Sequence, residues 1–162
     1  MNTLRLTAKD FKQSNSYYKD YIGKEDVSNF DGHIEIEGNL GYTHFASIKA
    51  NGHIWVEAGS GIKAGGGIKA GEGIEAGWGI KAGGGIKAGS GIEAGEGIEA
   101  GWGIEAGLSI TCTLSLNIAY RIFAGIALWK RRVTREEKTI TCGKLENGNI
   151  RYGILKEVGL PK

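Results

Sequence analysis

Three histidines, His33, His44 and His53, and two cysteines, Cys112 and Cys142, are the residues whose types best suit metal ligation or nucleophilic chemistry. The histidines stand eleven and nine residues apart, which places no two of them on one helical turn or on adjacent strand positions. They are expected to be polar residues at an irregular edge, with no metal site. Ser, His and Asp all occur, but never in a nucleophile context such as GxSxG. The glycine-rich text contains no GxxxxGK followed by Ser or Thr, so it is not a phosphate cradle. Both cysteines sit in an Ile-Thr-Cys context and are expected to fill inward positions. Two cysteines without a CxxC make no disulfide framework, which suits a reduced chain without a structural metal. No catalytic residue and no cofactor is expected, and the chain does not read as an enzyme.

Surface chemistry offers more. Trp78 and Trp102 occupy a slot that neighbouring units fill with Gly, Ser or Glu, and two Trp on a smooth wall either fold back over the Gly-rich surface and cover it or serve as anchors of the kind found at interface centres. Glu93, Glu96, Glu99 and Glu105 give residues 91–108 four negative charges with no Lys or Arg. Such a stripe is a solvated face or, beside Trp, suits a basic groove that normally holds nucleic acid. The converse patch, Lys130, Arg131, Arg132 and Arg135, suits phosphate, yet Trp129 is its only aromatic neighbour, and direct nucleic-acid binding is not expected.

The elements that must position these residues follow from a six-residue unit, Gly-Ile-(Lys/Glu)-Ala-Gly-x, which places Ile at 62, 68, 74, 80, 86, 92, 98 and 104 without a slip. Nineteen of the 29 glycines lie in residues 57–108, but a flexible linker has no reason to hold Ile in register. Collagen is excluded because it needs Gly at every third residue. A β-solenoid, or β-helix, of hexapeptide repeats explains the text. Ile and Ala, two apart, face inward on a short strand, the Lys or Glu between them faces solvent, and Gly-x-Gly turns the corner, where a positive φ costs Gly nothing. The phase continues forward through Ile110, Leu116, Ile122 and Leu128, and backward, displaced by two, through Ile54, Ile48, Tyr42 and Ile36. Residues 33–129 are therefore expected to form one coil, with caps at 1–32 and 130–162.

Coil length can be read from charge, because outward residues of stacked coils lie one strand spacing apart, where like charges repel. Twelve-residue coils give more attractive Lys/Glu neighbours than eighteen-residue triangular coils, and the Glu72/Trp78 pair recurs as Glu96/Trp102 after 24 residues, a multiple of twelve. The two-hexad coil is the preferred expectation; the three-hexad coil and a hairpin array stay open. At the N-terminus Thr7 is expected to cap a short helix carrying Phe11, Tyr18 and Ile22. At the C-terminus, residues 139–157 alternate around Glu-Asn-Gly-Asn, a hairpin signal. The charged run 130–138 reads as an exposed turn.

The 162 residues carry 20 Lys+Arg and 18 Asp+Glu, for a net charge of +2. This charge is polarised along the chain, with 6 basic and 7 acidic side chains in residues 1–56, 4 and 7 in 57–108, and 10 and 4 in 109–162. No uncharged apolar run is long enough to span a membrane, and the first residues carry charges where a signal peptide would be apolar. A cytoplasmic location without membrane attachment is expected.

The array resembles hexapeptide-repeat solenoids. The text from VSNFDGHIEIEGNLG through GIKAG to GLSITC also resembles small proteins carried by bacteriophages and prophages, over roughly residues 27–155. That resemblance implies an inhibitor of host defence of the anti-CRISPR kind, acting in the host cytoplasm on a host protein or ribonucleoprotein complex, with a homodimer left open. The alternatives are a structural component of a phage particle or a hexapeptide-repeat acyltransferase, for which His44 or His53 is the sole handle. The array has no inserted loop to build an acceptor pocket. Ice binding is excluded by the outward Lys and Glu.

Overall fold

A computed structural model describes residues 1–162 and shows an all-β chain wound into a β-solenoid of parallel coils. Each hexad contributes one three-residue strand, such as Ile74–Ala76, Ile80–Ala82 and Ile86–Ala88, and three hexads complete a turn. The first face is a sheet of eight strands running from Asn2–Leu6 to Ile154–Glu157. The second and third faces form one sheet of twelve strands, joined because the long strand Ser115–Ala124 turns the corner from one to the other. All pairings are parallel except that of Phe11–Gln13 with Tyr18–Tyr21.

Within the array the coil is eighteen residues long, since Ile74 pairs with Ile92, Ile80 with Ile98 and Ile86 with Ile104. This overturns the twelve-residue expectation, and the charge ladders show why that reasoning failed. Lys63 lies beside Lys81, Lys69 beside Lys87, and Glu75 beside Glu93. Exposed pairs of this kind are worth only about 0.2–1 kcal/mol either way. The core outweighs them. Three Ile per coil meet inside the triangle, every Ile from Ile62 to Ile110 is at most 1% exposed, and Ala fills the position beside each corner. Burying each Ile contributes roughly 1.5–3 kcal/mol, more than any of these exposed pairs.

The array glycines are needed for a reason other than the expected one. None of those in residues 60–124 has positive φ. Instead, a Cβ at Gly83, Gly89, Gly95, Gly101 or Gly107 would lie closer than 3.0 Å to the carbonyl oxygen of the glycine one coil below. The glycines before Ile are less confined: a Cβ at Gly73 or Gly91 would meet its nearest neighbour at 3.5 and 3.4 Å, an ordinary contact. One row is thus fixed by coil stacking, and in part of the other the missing side chain opens the outer surface.

The ends differ from expectation in three places. First, no N-terminal helix forms. Thr7 N–H donates to Asp10 Oδ2 at 2.8 Å and closes a single 3-10 turn, Ala8–Asp10. The Asn15 side chain then accepts from the backbone of Tyr17 and Tyr18, making a turn where a helix would have to continue. Phe11, Tyr21 and Phe45 pack edge-on to plug this end of the core, while Ile22 is exposed. Second, no C-terminal hairpin forms. Lys144–Tyr152 is one strand running parallel to Ser115–Ala124, and Gly148, at φ 129°, bends it round the corner. Third, the wall leaves the six-residue phase at both ends. Thr43 and Phe45 are buried while Tyr42 faces outward, and after Ala124 the chain departs into a loop on which Leu128 is fully exposed.

Candidate functional site

Eighteen-residue coils separate the two tryptophans. Their spacing of 24 residues is one coil plus one hexad, so Trp78 and Trp102 lie on different corners. Trp78 shares its corner with Ser60, Glu96 and Leu114, joined rung to rung by Trp78 N–H to Ser60 O at 2.8 Å and Glu96 N–H to Trp78 O at 3.4 Å. Its ring is half-buried against Tyr42, with centroids 5.7 Å apart and planes at 61°. The Tyr42 hydroxyl donates to Glu96 Oε2 at 3.2 Å. Burial, reinforced by the Glu96 carboxylate, pushes the Tyr42 phenol up to about 12. Trp78 therefore folds over the wall.

Trp102 does not. It is 70% exposed, and the residue stacked on it in the next coil is Tyr120, 65% exposed, whose N–H donates to Trp102 O at 3.1 Å. Trp102, Tyr120, Arg121 and Phe123, with Glu105 and Gly103, frame a shallow depression of about 570 Å³ on the corner between the second and third faces. Sequence reasoning missed Tyr120 and Phe123. The phase through Ile110, Leu116, Ile122 and Leu128, with inward residues two apart, gives Tyr120 the parity of an inward position, whereas the inward residues of this strand are Leu116, Ile118, Ile122 and Ala124. The signal for the corner was Ala-Tyr-Arg, which occupies the slot filled by Gly-Trp-Gly one coil earlier.

The acidic stripe is not brought together, because residues 91–108 wind once round all three faces. Glu93 lies on the first face, Glu96 at the Trp78 corner, Glu99 on the second face and Glu105 on the third. Glu99 and Glu105 are paired, to Lys81 at 3.1 Å and Lys87 at 2.8 Å. A different acidic row does exist along the first face, where Glu35, Trp55, Glu75 and Glu93 are successive outward rungs. It borders a groove of about 670 Å³ floored by Gly73 and Gly91, and neither Glu75 nor Glu93 has a basic partner among the ion pairs.

The basic run lies on the loop between Ser115–Ala124 and Thr139–Cys142. Trp129 Nε1 donates to Gly89 O at 3.0 Å and pins this loop to the wall. Lys130 pairs with Glu137 and holds that carboxyl below its usual range, while Arg131, Arg132 and Arg135 are exposed. Cys112 and Cys142 are buried inward residues of neighbouring rungs of the first face, as expected. Burial pushes the Cys112 thiol up to about 12, which suits packing and not nucleophilic attack.

The histidines defy their spacing. The coils that begin at Ile34 and Ile54 are two residues longer than those of the array, with Ile34 pairing Ile54 and Ile54 pairing Ile74, so His33 and His53 fall in adjacent rungs with their rings stacked 4.1 Å apart. Glu72 lies beside both. Gly-His-Ile recurring at 32–34 and 52–54 is the signal that would have found this pair. His44 stands apart on the second face, with Nδ1 2.7 Å from Asp20.

No family model, curated protein or solved structure matches this chain. No helix is long and apolar enough to cross a membrane.

Proposed function

We propose that this protein is a non-enzymatic interaction module whose anchor is the Trp102 corner. The supporting observation is the exposure of Trp102 and Tyr120 on consecutive rungs of a wall whose backbone is hydrogen-bonded coil to coil. Large aromatic side chains held on a rigid surface lose little entropy when a partner covers them, which is why they dominate interface energetics. Phe123 extends the apolar surface, and Arg121 and Glu105 give it a polar rim. The partner in this reading is a host protein or ribonucleoprotein complex met in the cytoplasm. The narrower role, a phage-type inhibitor of a defence complex such as a CRISPR effector, rests on the resemblance of the repeat text. The solenoid also suits a phage-particle component.

The experiment is inhibition of purified CRISPR effector complexes, with target cleavage measured at increasing concentrations of this protein and of its Trp102→Ala/Tyr120→Ala variant. The inhibitor role predicts that one effector type is blocked by the natural chain and that the variant needs at least tenfold more protein. Inhibition by both proteins alike would remove the corner from the mechanism. Inhibition of none of the effectors would remove the inhibitor role.

A further inference from the structure

We propose that His33, His53 and Glu72 form a binding site for one zinc-class divalent transition ion at the N-terminal end of the first face. The three residues come from three successive coils. His33 Nδ1 lies 3.7 Å and His53 Nδ1 3.8 Å from Glu72 Oε2, and the three potential ligand atoms all fall within 4.8 Å of one another. Metal–ligand bonds of about 2.0–2.2 Å in tetrahedral geometry place two ligand atoms roughly 3.4 Å apart, so the two histidine–carboxylate separations need only small side-chain movements to close on an ion.

A second feature, independent of this clustering, points the same way. The other ring nitrogen of His53, Nε2, lies 3.3 Å from Glu35 Oε1. A proton on Nε2 directed at Glu35 leaves Nδ1 with a free lone pair on the Glu72 side. This is the carboxylate–histidine–metal arrangement that fixes ring orientation and raises ligand basicity. His33 Nδ1 is likewise unprotonated, because it accepts the backbone N–H of His53 at 3.0 Å. Coordination exchanges that bond for the metal. Glu72 is half exposed at the corner and gives the ion a path from solvent. Two imidazoles and one carboxylate suit zinc and its first-row neighbours better than calcium or magnesium, and three protein ligands leave a position for water or for a donor from a partner. An ion held here ties three successive coils together near the N-terminal end of the stack.

The test uses the full chain, stripped with chelator and titrated with Zn²⁺ by calorimetry and with Co²⁺ by visible absorption. The expected result is one ion per chain, with tetrahedral Co²⁺ bands and a raised melting temperature. Glu72→Gln and His53→Ala should each weaken binding at least tenfold, Glu35→Gln should weaken it about tenfold through ring orientation, and His44→Ala should leave it unchanged. Glu72 is exposed, so its variant stays folded and keeps the test decisive if His53→Ala does not. Binding of less than one ion per chain, or equal affinity in the natural chain and Glu72→Gln, would overturn the site.

Discussion

The Trp78 and Trp102 corners are built from the same Gly-Trp-Gly-Ile text, yet one is a structural contact and the other an open surface. The difference lies in what the neighbouring coils bring. Two coils before Trp78, the irregular strand Gly41–Phe45 turns Tyr42 outward, and Tyr42 covers the Trp78 ring and reaches on to Glu96. Before Trp102 the same column holds Gly66 and Gly84, so nothing covers it, and after it comes another exposed aromatic, Tyr120. In a solenoid, a residue's role is set by its neighbours in the adjoining coils more than by its own hexad.

Breaking what the corners share should have the largest effect. Each Trp follows a glycine that stacking requires, and a Cβ would meet Glu57 O and Ala58 Cα at Gly77, or Gly83 O at Gly101, closer than 3.0 Å. Gly77→Ala and Gly101→Ala should each destabilise the chain by roughly 1–3 kcal/mol or more, as overpacking against an unyielding backbone does. Gly73→Ala, on the permissive row, should cost far less. Urea denaturation of the three variants checks this, and equal losses would mean that coil stacking does not dictate the glycine row.

The next effect should separate the corners. Trp78→Ala loses an edge-on aromatic pair worth about 0.5–1.5 kcal/mol beyond burial, whereas Trp102→Ala should change stability by less than about 0.5 kcal/mol. A comparison of melting temperatures shows which ring supports the fold. Alkaline titration sharpens the point. The Tyr42 phenol is raised in the folded state from 10.0 to about 12, so its contribution is fully present below pH 10 and is lost as pH rises towards 12. Tyr42→Phe should abolish that part of the pH dependence while leaving the part due to Cys112, Cys142 and Tyr21, whose pKa values are also raised and which titrate in both proteins.

The smallest effect tests the coil itself. Glu75 stands between Trp55 and Glu93 on the first face, eighteen residues before Glu93, so Glu75→Lys replaces repulsion by attraction and should stabilise the protein by about 0.2–1 kcal/mol at low salt. In a twelve-residue coil Glu75 would lie between Lys63 and Lys87, and the same change would destabilise it.

The sequence made the solenoid legible because Ile recurs every six residues and a strand's inward face has period two, which left the buried Ile, Ala and Cys positions no other side to face. Coil length was not legible: its visible markers, the Lys/Glu ladders, carry fractions of a kcal/mol, and the thickness of a three-sided Ile core outweighs them. The site was less legible still. Glu93, Glu96, Glu99 and Glu105 are close in sequence but distributed round the triangle, while Trp102 and Tyr120, or His33 and His53, are distant in sequence and meet only once the coil is closed at its actual length. Residues 11–22 and 144–152 misled for a related reason. Asn15 and Gly148 are turn formers, and in this fold they close a strand pair and bend a strand round a corner, where sequence reasoning predicts a helix and a hairpin.

The most direct test of the account is equilibrium binding of a purified partner, once one is identified by inhibition, to three chains: the natural protein, Trp78→Ala and Trp102→Ala/Tyr120→Ala. The double variant at the exposed corner should lose at least thirtyfold in affinity, the scale of a hot spot worth about 2 kcal/mol, with its melting temperature unchanged. Trp78→Ala should melt lower yet bind within threefold of the natural chain. Full affinity in the Trp102 and Tyr120 variant, or loss confined to Trp78→Ala, would contradict the account.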